Sequence, residues 1–175
     1  MAMRSSYLLR YTRAKAANRG LLRWLDFQMT DVSALTSLCH HVEALAPGSA
    51  AGMTLTDQNH THIERALFPS LPHGFSVALT DVPLLPSGFG SCVKAIACGQ
   101  TITCPDILAD RVFDPRWRKV CLDYGLKSIQ SRPVYVNGKA RGTFVLAYRE
   151  SRSESEWDAA LMNFAANAAT EALSR

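Results

Sequence analysis

No run of apolar residues in this chain of 175 approaches the ~20 that a membrane-spanning helix needs. The N-terminus carries basic residues but no apolar segment of the kind that opens a secretory signal. Cysteine is sparse and odd in number, five at irregular spacing, which does not make a disulfide framework. Paired cysteines two to four residues apart, the usual mark of structural zinc, are missing, since Cys92, Cys98 and Cys104 are spaced by six and six. Histidine does not compensate: His40 and His41 are neighbours that cannot share one helix face, and His60 and His62 fall at a hairpin tip. A Gly-rich phosphate loop, an acidic metal pair and a nucleic-acid recognition helix are also absent, so no output activity is expected on this chain. No repeat or low-complexity tract interrupts it. These absences predict a cytoplasmic, metal-free protein with neither membrane nor nucleic acid as partner.

What is present is ordinary for one globular domain: 47% apolar and 19% charged residues. The net charge of +4 is unevenly placed. Residues 1–25 hold six Lys/Arg and no acid, so the remaining 13 basic and 15 acidic residues leave the rest of the chain at −2. The basic character belongs to an N-terminal arm or linker, residues 1–20, and the domain spans 21–175 with its core at about 31–174.

Apolar residues from Leu21 to Leu45 recur every three or four positions, a helical stripe that Thr30-Asp31 divides by a candidate N-cap. Ala50–Leu55 and Thr61–Phe68 read as two strands around turn residues at Asp57–Asn59. Four prolines between 69 and 86 keep that segment out of the sheet, with a short helix at Phe75–Leu79. Ser128–Val136 and Lys139–Tyr148 flank Asn137-Gly138, a strong hairpin signal. Ser153-x-x-Glu156 is a capping box, and Trp157, Ala160, Leu161, Phe164, Ala165, Ala168 and Leu173 share a face of the helix it opens. Hairpins between end helices imply an α+β fold: an antiparallel sheet with the terminal helices on one face and the insertion on the other.

The chain is organised around Ser87–Ser131. Gly88 and Gly90 flank Phe89, and Ser91 stands at a candidate N-cap of a short helix that Gly99 stops. Amides at such a helix start suit an anion or a polar ligand atom. Cys92, just inside it, is a nucleophile candidate through the helix dipole, or a small buried hydrophobe. Thr101–Cys104 reads as a strand, Asp106 follows it, and Asp114-Pro115 opens a second helix.

The ordered series Gly-Phe-Gly-Ser-Cys, Gly99-Gln100, Asp106-Ile107, Asp114-Pro115-Arg116-Trp117, Tyr124-Gly125-Leu126-Lys127-Ser128 and Ser131-Arg132-Pro133 resembles the second half of a GAF domain. The likeness runs on through Gly142-Thr143-Phe144 and covers roughly Leu35 to the C-terminus. It is closest to the bacterial type found ahead of PAS, diguanylate cyclase, phosphodiesterase and histidine kinase modules. Val93-Lys94 and Ser128–Ser131 depart from that type where its pocket lies.

The resemblance implies a sheet of five or six strands and a ligand pocket between sheet and insertion. Gly90, Ser91, Cys92, Asp106, Trp117, Tyr124, Ser128, Gln130 and Arg132 would line it. Asp106 reads equally as a turn cap, Trp117 as core, and Arg132 as an ion-pair partner of Asp106 or Asp114. The implied function is a non-catalytic small-ligand sensor in cyclic-di-GMP-type signalling, dimeric through its terminal helices and acting on an effector domain or partner protein. An alternative is a GAF-fold reductase of free methionine (R)-sulfoxide, with Cys92 as nucleophile and Cys121 as resolving thiol. No cofactor is expected; haem would have only a lone histidine such as His73, and no Cys-His pair for a linear tetrapyrrole is seen.

Overall fold

Alternation along five segments produces one antiparallel sheet with two differently covered faces. The computed structural model describes residues 32–85, 88–153, 156–157 and 159–174. The chain divides into two units after Ala34. Of the first, only residues 32–34 are described, and they are helical; the second is Leu35–Arg175. The basic arm, the helical stripe from Leu21 to Met29 and the Thr30-Asp31 cap lie outside the described residues.

Helix α1 occupies residues 32–45. It is followed by β1 (Ser49–Thr56), β2 (Ile63–Leu67), α2 (His73–Leu79), α3 (Ser91–Cys98) and β3 (Ile102–Cys104). Helix α4 (Pro115–Asp123), β4 (Ser128–Val136), β5 (Lys139–Tyr148) and α5 (Ala159–Leu173) complete the order. The strands lie β2-β1-β5-β4-β3, each antiparallel to its neighbours.

Side chains of a strand alternate between faces, and β5 shows what each face meets. Phe144, Leu146 and Tyr148 pack with Leu35, Cys39 and Val42 of α1 and with Leu161, Met162 and Ala165 of α5. Val145 and Ala147 turn the other way, into a second core with Phe68, Phe75, Val93, Ile107, Trp117 and Leu126 from the insertion. This is the expected α+β architecture, with five strands.

Local signals account for most boundaries. Asn137 (φ 52°) and Gly138 (φ 75°) both adopt the left-handed conformation that a tight two-residue hairpin requires. Asp114 accepts a hydrogen bond from the Arg116 amide and caps α4, with Pro115 in the first turn. The Glu156 carboxylate accepts from the Ser153 amide (2.6 Å) and hydroxyl (2.7 Å), ahead of α5. Two expectations are corrected. Gly90, not Ser91, is the N-cap of α3; Ser91 is its first helical residue, with its hydroxyl on Ser131. The segment after α2 is not wholly outside the sheet, because His62 and Pro83 form an isolated antiparallel bridge. The amides at Ile63 and Leu84 and the carbonyl of Val82 make its hydrogen bonds, so the missing proline donor is not needed. No described helix is long and apolar enough to cross a membrane.

Candidate functional site

The first turn of α3 is locked onto the sheet. Ser91 and Ser131 Oγ atoms lie 2.8 Å apart, and Cys92 Sγ is 3.5 Å from the same Ser131 Oγ. Ser131 is on β4, paired with Val145, so this small polar cluster faces the insertion. All three residues are buried, Cys92 with 4% exposure. A Cβ placed on Gly90 would come within 2.1 Å of Trp117 Nε1, so the indole closes the turn from outside. The concavity expected to offer amides to an anion is therefore filled by the chain's own side chain.

Trp117 is held there by Phe113, with ring centroids 4.7 Å apart, and is 2% exposed. Tyr124 stacks edge-on against Phe75 at 5.4 Å, and Phe75 against Phe68 at 4.8 Å. Each such ring buried contributes about 1.5–3 kcal/mol. Together they occupy the space between sheet and insertion that a ligand would need. Trp117 and Tyr124 sit in this core, as packing residues.

The thiols belong to it too. Cys121 is fully buried, and burial, reinforced by the Cys92 and Cys104 thiols, raises its pKa far above the usual thiol value. Burial likewise pushes Cys104 up to about 12, with Asp110 adding to the shift. Neither supplies a ready thiolate at neutral pH.

Asp106 is half-buried, and its Oδ1 accepts from the amides of Leu108 (3.0 Å) and Ala109 (3.1 Å). Asp110 Oδ1 does the same for Val112 and Phe113, both at 2.9 Å. Asp114 follows at the start of α4, so three aspartates four residues apart each close a turn. The Arg116 side chain hydrogen-bonds Asp114 at 2.7 Å and holds that carboxyl below the usual range.

The register between β4 and β5 separates the remaining expected residues from these. Ser128, Gln130 and Arg132 pair with Tyr148, Leu146 and Phe144, the residues facing α1 and α5. They therefore lie on the opposite side of the sheet from Asp106 and Trp117, and the expected convergence does not form. Ser128 donates to the Glu150 carbonyl (2.7 Å), Gln130 Nε2 to Thr103 (2.9 Å) and Arg132 Nη1 to Thr101 (3.0 Å). Arg132 consequently pairs with neither Asp106 nor Asp114. Gln130 Oε1 is buried with no partner among the described residues.

Open on the insertion side is a groove of about 580 Å³ between residues 81–85, 88 and 89 and the loop before α4. Val82, Pro83, Phe89, Phe113, Arg111 and Arg116 are among its walls. None of the nine expected residues lines it. Arg116 lies 5.7 Å from the Phe89 ring, and Lys94 Nζ 5.4 Å from that of Phe113. The cation–aromatic pairs give the groove flat apolar walls, and its charged lining is mixed, Arg111 and Arg116 beside Asp81 and Asp114. Phe89, between its two glycines, was visible in the sequence motif; Arg111 and Val112 carried no signal beyond loop composition. His73 is exposed at the start of α2 and is not among the groove's lining residues. No cluster of three or more metal-ligating side chains occurs among the described residues.

A model of the GAF domain family matches residues 17–173. Solved structures agree on the fold. The GAF domain/HD domain protein from Geobacter sulfurreducens superposes with a TM-score of 0.59 at 18% identity, covering 83% of this chain and 91% of that one. Residues 122 to 287 of a methyl-accepting chemotaxis protein give 0.61 at 18%, covering 85% and 92%. The free methionine-R-sulfoxide reductase from Neisseria meningitidis, in complex with its substrate, gives 0.61 at 18%, covering 81% and 77%. No curated protein matches the chain.

Proposed function

The chain belongs to the GAF domain family, and from that premise we propose that it is a non-catalytic, cytoplasmic sensor module of a bacterial signalling protein. It takes a small ligand in the groove between residues 81–85, 88 and 89 and the loop before α4. It passes the change through α1 and α5 to an effector domain or partner protein, of the diguanylate cyclase, phosphodiesterase or histidine kinase kind. The observation that carries this reading is the state of the thiols. Cys92 and Cys121, which a reductase would use, are both buried, Cys92 against the Ser131 hydroxyl and Cys121 in apolar core, and Cys121 is kept protonated by burial. A thiolate that attacks a sulfoxide must be formed and reached by substrate.

Transmission through a dimer is supported by two apolar side chains on the terminal helices. Leu45 of α1 is 56% exposed and Phe164 of α5 is 47% exposed. The His41 ring lies tilted against Phe164, with centroids 6.0 Å apart, so the two helices offer a joint surface.

The deciding assay is thioredoxin-dependent reduction of free methionine (R)-sulfoxide. The sensor reading expects no turnover, and expects Cys92→Ser to leave the circular dichroism spectrum and oligomeric state unchanged. Turnover that vanishes in Cys92→Ser would make the chain a reductase instead. A change of nucleophile removes the covalent route altogether, so that effect would be orders of magnitude.

A further inference from the structure

We propose that the cleft around Arg132, on the sheet face opposite the groove, is a second binding site, for a monocarboxylate carrying several hydroxyl groups, as sugar acids do. It is independent of the sensor groove and stands or falls separately from it.

The cleft exists because β3 is too short for its neighbour. Its three residues pair with Ile129–Ser131 of β4, so among the described residues no strand lies on the outer edge of β4 from Arg132 onward. Pro133, on that bare stretch, has no amide hydrogen to offer a further strand. Helix α5 runs over the same face, and between it and the uncovered edge is a space of about 440 Å³. That lies in the range of small-molecule sites.

Its chemistry is one-sided. Among the described residues Arg132 is the only charged one lining it, and none of them brings a carboxylate to it. The guanidinium is half-buried; its Nη1 donates to Thr101 Oγ1 at 3.0 Å. No ion pair reaches it among the described residues. Its other donors keep the fork geometry that matches a carboxylate. A single positive charge balances one carboxylate, whereas a phosphate monoester with nearly two charges would be left partly uncompensated.

Around this charge are the hydroxyls of Thr101, Tyr135 and Thr170 and the amides of Gln100 and Asn167. The Tyr135 hydroxyl is already positioned, donating to the Gly99 carbonyl at 3.2 Å with its oxygen still able to accept. Four side chains that can both donate and accept, with the Tyr135 oxygen as a further acceptor, line the cleft with one cation and suit a ligand with several hydroxyls and one carboxylate. An aliphatic acid would leave most of them unmatched.

The experiment is amide chemical-shift titration of the full chain with D-gluconate and D-glucuronate. D-glucose, acetate and inorganic phosphate serve as controls. Saturable shifts at residues 99–101, at 132, 134 and 135, and at 166–170 with at least one sugar acid are expected, with weaker or no effect from each control. Arg132→Gln should weaken the sugar acid about tenfold or more, the usual loss when a charged hydrogen-bonding partner is removed. Asn167→Trp, at an exposed helix position, should block the cleft without touching Arg132, which covers the case that the arginine variant fails to fold. The proposal is overturned if neither sugar acid shifts these amides, if Asn167→Trp or a folded Arg132→Gln binds as well as the unmutated chain, or if glucose, acetate or phosphate binds as tightly as the acids.

Discussion

Replacing Gly90 by alanine tests whether the start of α3 is closed by packing or held ready for a ligand. The new Cβ would lie 2.1 Å from Trp117 Nε1, 2.2 Å from Cδ1 and 2.5 Å from Cε2. Unstrained carbon contacts need about 3.5 Å, so the indole would have to withdraw by about 1.4 Å. Phe113, 4.7 Å away, and near-complete burial leave it little room. Gly90 is extended (φ −160°, ψ −168°), so alanine adds no backbone strain there. Its lower unfolded-state entropy returns about 0.4–1 kcal/mol. Against this stands an overpacking cost of about 1–3 kcal/mol. The net loss, between about 0 and 2.6 kcal/mol and centred near 1, lowers Tm by about 2–4 °C for each kcal/mol in a domain of this size. Urea and thermal unfolding of Gly90→Ala, Trp117→Phe and the double variant read this directly. Because the contacts are to the five-membered ring that phenylalanine lacks, the double variant should lose at least about 1 kcal/mol less than the sum of the singles. If Gly90→Ala melts at or above the parent, or the two costs simply add, the indole yields easily and the concavity is available to a ligand after all.

Cys98 is exposed and the other four cysteines are buried, so a thiol reagent should label one equivalent rapidly in the native protein and five after denaturation. Fast native labelling of Cys92 or Cys121 would undo the buried-thiol reasoning. Burial works against the Asp57 carboxylate, but amides of His62, Thr61 and Asn59 and the Thr61 hydroxyl bring its pKa down from 3.8 to about 2. A lowered folded-state pKa stabilises above the unfolded value and is lost as pH falls through the folded one. The Tm difference between parent and Asp57→Asn should therefore be steady near neutrality and close between pH 3.8 and about 2; a difference unchanged across that window refutes it. Light scattering at high micromolar concentration should find a dimer, and Phe164→Asp should shift it to monomer; a monomeric parent rules out transmission through paired end helices.

The elements legible in the sequence are those whose signal is local. Asn137-Gly138 needs only two positive φ values, and Asp114-Pro115 needs only the amide two residues on. Ser91 is not legible in this way, because its deciding partner, Ser131, is 40 residues away. A serine before an apolar run satisfies the N-cap pattern whether or not its hydroxyl is wanted elsewhere. Gly90 caps the helix instead, which frees Ser91 to tie α3 to β4.

The face on which β4 presents its polar residues was illegible for a different reason. Alternation reveals a face when one side is apolar and the other polar. In Ser-Ile-Gln-Ser-Arg-Pro-Val the polar residues fall on both sides, so periodicity does not orient the strand. Orientation comes from β5, where Phe144, Leu146 and Tyr148 must meet α1 and α5. That register carries Gln130 and Arg132 with them and leaves Ser131 on the insertion side. Whether the space there is open is a still less local property. It depends on Phe68, Phe75, Phe113, Trp117 and Tyr124, contributed by four separate segments whose rings interlock. An ordered set of motifs specifies how the chain passes around that space. It does not specify the sum of side-chain volumes within it, and a single indole over Gly90 is enough to turn an expected cavity into core.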